Sequence, residues 1–320
     1  MTQKRVLITR RLPDSVMEQA ASTYDLETRD SEIPLTEAEA KRVLGEFDGV
    51  LTTLGDGFTA NAFESSRPLK CRILANFGVG YNHIDIAAAE WHGIAVTNTP
   101  GTVTESTADI ALALILATAR RVVEGDRLVR AGEWVGWQPT QMLGHAVSGK
   151  TVGIVGMGRI GQAVAKRCHF GFDMKVVYAT RSPITDLEFT ATAMDSPKAA
   201  MQVADFVVVT VSANPSTHHL INAELIDAMQ SHAILINVSR GDTIDESSLV
   251  EALERQQIAG AGLDVYEFEP QVPPRLTALS NVVLLPHLGT SVLSTREAMG
   301  FMALDNLNAF FAGKSPPNRV

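Results

Sequence analysis

The run Val152-Gly153-Ile154-Val155-Gly156-Met157-Gly158-Arg159-Ile160-Gly161 constrains the fold more than any other stretch of this chain. Thr151 to Val155 is short, mostly apolar and rich in β-branched residues, which predicts a buried strand. Helical spacing resumes at Ile160, Ala163, Val164 and Arg167, so the glycines fall on a strand-to-helix turn. There Gly156 would permit the tight turn, Gly158 the approach of a pyrophosphate to the backbone, and Gly161 the packing of helix on sheet. Free N–H groups and the positive end of the helix dipole would meet the phosphates. Gly-x-Gly-x-x-Gly alone occurs in many turns, and its placement between strand and helix is what gives it weight. The expectation is a Rossmann-like dinucleotide site.

The next strand, Met174 to Tyr178, ends where the adenosine ribose would lie. An acidic residue there would bond both ribose hydroxyls and repel a 2′-phosphate. This chain instead has Ala179-Thr180-Arg181-Ser182, with no carboxylate before Asp186. The planar fork of Arg181 suits a phosphate, and the Ser182 hydroxyl can add a bond. NADP(H) is therefore preferred, with NAD(H) possible. The competing reading is an ordinary solvated loop arginine.

With 320 residues, 45% hydrophobic and 20% charged, the chain is long enough for one large or two medium globular domains. Met1-Thr2-Gln3-Lys4-Arg5 runs directly into a strand without a leader core, and no apolar run approaches a membrane span. Cys71 and Cys168 fit neither a disulfide nor a metal spacing, which points to the cytoplasm. The net charge of −9 argues against a nucleic-acid partner. The adjacent His218 and His219 look like a metal pair, but no Cys, Asp or Glu stands at suitable spacing, so no metal is expected.

Strand-like runs occur at Arg5–Thr9, Gly49–Thr52, Arg72–Asn76 and Ile94–Thr97 before the glycine motif. After it come Lys175–Tyr178, Phe206–Val211, Ile234–Val238, Gly262–Val265 and Val282–Leu285. Their alternation with helical stretches predicts an α/β chain of two Rossmann-like, doubly wound parallel-sheet domains, with the active site in the cleft between them. Glu105 to Arg121 reads as a long helix crossing between domains, and Ser294 to Phe311 as a helix returning to the first. The expected boundaries are 1–99 with 287–320 for a substrate domain and 100–286 for the dinucleotide-binding domain.

Three segments at strand ends carry candidate chemistry. Asn237-Val238-Ser239-Arg240-Gly241 places Arg240 past a buried strand. Leu263-Asp264-Val265-Tyr266-Glu267-Phe268-Glu269-Pro270 places carboxylates past the next, and Leu284-Leu285-Pro286-His287-Leu288-Gly289-Thr290 places His287 past the last. With Gly78-Val79-Gly80-Tyr81-Asn82-His83-Ile84-Asp85 and Thr97-Asn98-Thr99-Pro100, these motifs run in order along nearly the whole chain. In them the sequence resembles the D-isomer-specific 2-hydroxyacid dehydrogenases, most closely the glyoxylate/hydroxypyruvate reductase branch.

That resemblance implies a reductase of small 2-oxo acids, with His287 as general acid, Glu269 as the carboxylate holding it, and Arg240 on the substrate. A carboxylate beside an imidazole favours its charged form, which suits an anionic oxo acid. Glu267 competes for the same role, and the Pro following the carboxylate selects Glu269. The backbone amides of Val79 and Gly80 are implied to clamp the substrate carboxylate, with Leu54 and Gly55 lining the pocket. Gly156, Gly158, Arg159, Ile160 and Gly161 are implied at the pyrophosphate. Thr107, Ser212, Val238, Asp264, His287 and Gly289 are implied as further cofactor contacts, Asp264 on the nicotinamide carboxamide unless it caps a turn. Trp137 and Pro139 resemble a segment that reaches a partner subunit, which implies a homodimer through the Glu105–His145 region; otherwise Trp134 and Trp137 cap a local core. The family also admits larger oxo acids, such as 2-ketogluconate or a hydroxyphenylpyruvate, and non-catalytic dinucleotide-sensing corepressors.

Overall fold

The computed structural model describes residues 3–64, 68–182 and 184–320; Met1 and Thr2, the start of the stretch expected to lead into the first strand, lie outside them. The chain divides into two compact units, residues 1–103 with 291–320 and residues 104–290.

The first unit contains β1 (Arg5–Ile8), β2 (Asp25–Thr28), β3 (Gly49–Thr52), β4 (Ile73–Asn76) and β5 (Ala95–Thr97). They form a parallel sheet in the order β2-β1-β3-β4-β5. The strand period of two sorts their side chains to opposite faces. Val6, Ile8, Leu51 and Ile73 pack with Val16, Ala303, Leu304 and Leu307 from the helices Asp14–Thr23 and Leu293–Phe311. Leu7, Val50 and Leu74 pack the other way, with Val43, Leu44 and Phe63. Thr36 starts the helix Glu37–Glu46 with a reciprocal cap: its side chain accepts from the Glu39 N–H, and the Glu39 carboxylate accepts from the Thr36 N–H.

The second unit contains β6 (Thr151–Val155), β7 (Lys175–Ala179), β8 (Ala191–Ala193), β9 (Phe206–Val209), β10 (Ile234–Asn237), β11 (Gly260–Leu263) and β12 (Val282–Leu284). All pairings between them are parallel, in the order β12-β11-β10-β9-β6-β7-β8. The chain steps outward from β6 to β8, then returns to the other side of β6 at β9. Loops leaving β6 and β9 therefore diverge, and such a switch point is where open α/β sheets bind ligands at the strand C-termini. Both faces are covered, one through Leu114, Ile115, Val164 and Ile236, the other through Val207, Leu235, Leu249 and Leu253.

The helix expected over 105–121 spans Thr104–Ala119. It lies wholly in the second unit, packed on β10, β11, β12 and the helix Arg159–Phe172, so it is a layer of that sheet. The sequence reading anticipated neither β2 nor β8. Both are edge strands with no fully buried position, and so carry no apolar signal. β11 begins two residues earlier than expected, because Gly260-Ala261-Gly262 pairs with β10 although it lacks β-branched side chains. Among the described residues no helix is long and apolar enough to cross a membrane.

Candidate active site

The glycine motif sits at the switch point. Gly156 has φ +100°, and an added Cβ would lie 2.7 Å from the Val211 nitrogen, so only glycine fits this turn. The Thr210 hydroxyl donates to the Gly156 carbonyl at 2.7 Å, tying the end of β6 to the end of β9. An added Cβ on Gly161 would meet the same carbonyl at 2.3 Å, so the helix packs here at its closest. Gly158 precedes the helix Arg159–Phe172, and an added Cβ there would meet nothing within 4 Å. The Gly158 N–H is spent on the Gly156 carbonyl, whereas those of Arg159, Ile160 and Gly161 have no intrahelical acceptor. Open space over three free donors at a helix N-terminus fits a pyrophosphate. Past β7, Arg181 and Ser182 are exposed, and Arg181 pairs with no carboxylate among the described residues.

Past the ends of β10, β11 and β12 the chain brings a second group together. The Glu269 Oε2 lies 2.8 Å from the His287 Nδ1, with the two side chains 29% and 26% exposed. The other Glu269 oxygen accepts from the Tyr266 N–H at 3.0 Å. Burial pushes the Glu269 carboxyl up, but hydrogen bonds from His287 and the Tyr266 N–H, with the charges of His287 and Arg240, outweigh it and hold the group below the usual carboxylate range. His287 has φ +54°, an uncommon backbone for a side chain of this size. Arg240 donates through Nη1 to its own Ser239 carbonyl at 2.8 Å, while its enclosed Nε has no hydrogen-bond partner among the described residues. Burial lowers the Arg240 pKa, opposed by the charges of Glu269 and Asp242. An arginine with an unused, desolvated donor is a ready anion site.

Asp264 organises the turn that carries His287. Its two oxygens accept from the Leu288 and Gly289 N–H groups at 2.6 and 2.8 Å, and its carbonyl accepts from the His287 N–H at 3.0 Å. Desolvation raises its pKa despite those donors and the charge of His287. The buried Thr107 hydroxyl donates to the Gly289 carbonyl at 3.2 Å. Asp264 thus caps a turn, and it holds 287–289 to the second unit rather than to the first, where the sequence boundary had put them. Val238 is buried at the end of β10; Ser212 is exposed past β9, its carbonyl accepting from Asn214 and Thr217.

In the first unit, the Asn76 amide donates to the Gly78 and Gly80 carbonyls, each at 3.0 Å, and the Asn98 amide donates to the Val79 carbonyl at 2.9 Å. The N–H groups of Val79 and Gly80 have no acceptor among the described residues. Two adjacent free amides form a small anion nest. Leu54 is half-buried, its carbonyl held by the Arg10 guanidinium, and Gly55 follows at φ +85°.

The sequence reading missed three features. An added Cβ on Gly241 would lie 1.8 Å from the Tyr266 carbonyl carbon and 2.2 Å from the Glu267 nitrogen, so the loop after Arg240 rests on the loop before Glu269. Glu267, weighed as a rival for His287, contacts a different imidazole, with its Oε1 2.9 Å from the His219 Nε2. Glu246 is 7% exposed and accepts from the Glu267 N–H at 3.3 Å. Their partners lie tens of residues away, so no local spacing reveals them. Among the described residues no cluster of three His, Cys, Asp or Glu side chains could hold a metal. Trp134 and Trp137 are 54% and 80% exposed, so they do not cap a local core.

A doubly wound parallel sheet with this motif at its switch point, and an imidazole–carboxylate pair at its strand ends, defines a dinucleotide-dependent oxidoreductase. The family described as D-isomer specific 2-hydroxyacid dehydrogenase, NAD binding domain, matches residues 112–289. A glyoxylate reductase of Pyrococcus horikoshii is 43% identical over 99% of this chain and 95% of its own. Another glyoxylate reductase, of Thermococcus litoralis, is 43% identical over 99% and 96%. The crystal structure of an NADPH-dependent glyoxylate/hydroxypyruvate reductase from Sinorhizobium meliloti, in complex with NADP and malonate, superposes with a TM-score of 0.88 at 34% identity, covering 100% of this chain and 97% of that one. The chain belongs to the D-isomer specific 2-hydroxyacid dehydrogenases and is an NAD(P)-dependent enzyme of that family.

Proposed function

We propose that the protein is an NADPH-preferring reductase of small 2-oxo acids, taking glyoxylate to glycolate and hydroxypyruvate to D-glycerate. The observation that carries this reading is the 2.8 Å contact between His287 and Glu269 in the same cluster as an arginine with an unpaired, enclosed Nε. The ionised Glu269 accepts the Nδ1–H and fixes the ring, which leaves Nε2 to work on the substrate oxygen. When bound, the reduced nicotinamide supplies the hydride. His287 Nε2 holds the proton for the carbonyl oxygen as negative charge develops there, and takes it back from the hydroxyl in the reverse direction. Arg240 neutralises the oxo acid. The free amides of Val79 and Gly80 bind its carboxylate, and Leu54 borders it.

On the cofactor, the N–H groups of Arg159, Ile160 and Gly161 take the pyrophosphate, with Gly156 and Gly158 making room. Arg181 and Ser182 take the 2′-phosphate. Thr107, Ser212, Val238 and Gly289 complete the cofactor contacts, and Asp264 holds the turn that carries Gly289. The similarity to the NADPH-dependent glyoxylate/hydroxypyruvate reductase of Sinorhizobium meliloti supports both this substrate class and NADPH. The exposed Trp134, Val135, Trp137 and Leu143, with the helix Val122–Arg130 that buries none of its residues, support a homodimer. The net charge of −9 supports a role without nucleic acid, and two buried free cysteines support a cytoplasmic setting.

The test is a paired assay of NADPH and NADH against glyoxylate, hydroxypyruvate, pyruvate and 2-ketogluconate. Glyoxylate and hydroxypyruvate with NADPH should lead, and His287→Ala should lower kcat by about 10²–10⁴-fold while NADPH still binds. Near-normal turnover by His287→Ala, or a clear preference for 2-ketogluconate, would overturn this reading.

A further inference from the structure

A set of groups in the second unit has no part in the chemistry proposed above, yet it joins the two halves of the site. His219 follows β9 with φ +49°, its ring stacked on His218 at 4.0 Å between centroids. Its N–H donates to the Asp242 carbonyl at 2.8 Å, within the single 3-10 turn Gly241–Thr243 that follows Arg240. Its Nε2 meets Glu267 at 2.9 Å. The Glu267 N–H in turn is held by the buried Glu246 carboxylate, at the first turn of the helix Glu246–Glu254. That helix start is fixed by Asp245, which accepts from the Ser248 N–H and hydroxyl. His219 and Glu267 therefore hold the Arg240 loop at one end and the Tyr266–Glu269 loop at the other.

We propose that His219 and Glu267, backed by Glu246, are a positioning pair that sets the placement of Arg240 relative to the His287–Glu269 pair. The Arg240 loop needs such a brace. The Arg240 carbonyl is held by the Thr243 hydroxyl at 2.6 Å and the Asn237 amide at 3.0 Å, so the backbone is anchored from β10. The guanidinium, by contrast, makes its hydrogen bond to its own neighbour Ser239, and among the described residues only non-directional charge attraction, without a hydrogen bond, relates it to Glu269. Contact between the loops runs through Gly241 against Tyr266 and Glu267, which can press the loops apart but cannot pull them together. The imidazole–carboxylate bond supplies the attraction across the same junction. An error of about 1 Å between two such groups lowers rates about 100-fold.

This inference rests on the reductase reading, and the experiment separates the two. The variants are His219→Asn, whose side chain tolerates the left-handed backbone but loses the ring, and Glu267→Ala. A third is His219→Gln, whose amide nitrogen can still donate to Glu267. Turnover of glyoxylate with NADPH by the parent enzyme, absent in His287→Ala, establishes the reading. The positioning role then requires His219→Asn and Glu267→Ala each to raise KM for glyoxylate about tenfold or more, with the NADPH Kd, measured by fluorescence quenching, within about twofold of the parent. His219→Gln should return KM to within about threefold, and the double variant should be no worse than the poorer single one. Parent-like KM in both, losses that add in the double variant, or no rescue by Gln overturns the positioning role and leaves the reading intact. No turnover by the parent enzyme overturns both. Melting temperatures check folding, and if Glu267→Ala is unfolded the Asn/Gln pair at 219 decides.

Discussion

Replacing Gly241 with Ala probes the junction on which the whole site depends. The residue does not have a positive φ, so the backbone accepts Ala and the effect is purely one of space. The new Cβ would lie 1.8 Å from the Tyr266 carbonyl carbon, 2.0 Å from its oxygen and 2.2 Å from the Glu267 nitrogen. All three are main-chain atoms, so no rotamer change relieves the clash and one loop must retreat by about 1 Å or more. Overpacking of buried sites costs about 1–3 kcal/mol, and overlap with a whole rigid peptide group puts this variant at the upper end. For a unit of this size that lowers the melting temperature by about 6–12 °C. The retreat also carries Arg240 away from Glu269, which should lower kcat/KM for glyoxylate about 100-fold. Differential scanning fluorimetry and steady-state NADPH oxidation measure the two effects. A Gly241→Ala variant with parent-like melting temperature and turnover would refute the packing described for this junction.

Burial, with Glu267 and Glu269 facing it, raises the Glu246 pKa. The folded chain therefore disfavours its charged form, so Glu246→Gln should raise the melting temperature at about pH 7–8, with the gain vanishing as the pH falls below about 3.5, where the unfolded chain's Glu246 is also protonated. A gain independent of pH would count against that origin. Arg181→Ala should lower the ratio of NADPH to NADH efficiency by about 10–100-fold, from loss of one charge-assisted contact worth about 1–3 kcal/mol; an unchanged ratio would remove Arg181 from the cofactor site. Trp137→Glu places a charge on a side chain 80% exposed in the single chain, and light scattering should show a dimer becoming a monomer. A parent enzyme that is already monomeric, or a variant that stays dimeric, would sink the proposed interface.

What the sequence revealed was set by the range of each interaction. β6, its three glycines and the following helix could be read because their signal lies within about ten residues: apolar strand, tight turn at positive φ, first helical turn. β2 and β8 could not, since Asp25-Leu26-Glu27-Thr28 and Ala191-Thr192-Ala193 become strands only through a neighbour's pairing groups. The same division runs through the site. Arg240, Glu269 and His287 were found through ordered motifs at strand ends. The partner of Glu267 is 48 residues away, and Glu246 meets it across 21. Only the parallel order of β9, β10 and β11 brings these segments side by side.

The interrupted path of the first unit fixes the order in which the molecule can assemble. One face of its sheet is closed by the helix Leu293–Phe311, and the fit there is tight. An added Cβ on Gly300 would lie 2.6 Å from Val16, and one on Gly49 would lie 2.9 Å from Phe311. During synthesis residues 104–290 emerge as a continuous block, so the second unit can acquire its core as soon as β12 is out. Val6, Ile8, Leu51 and Ile73 must wait for residues translated roughly 230 to 300 positions later. Until then that apolar face is open to water and to chaperones, so the sheet made first is the last to be finished.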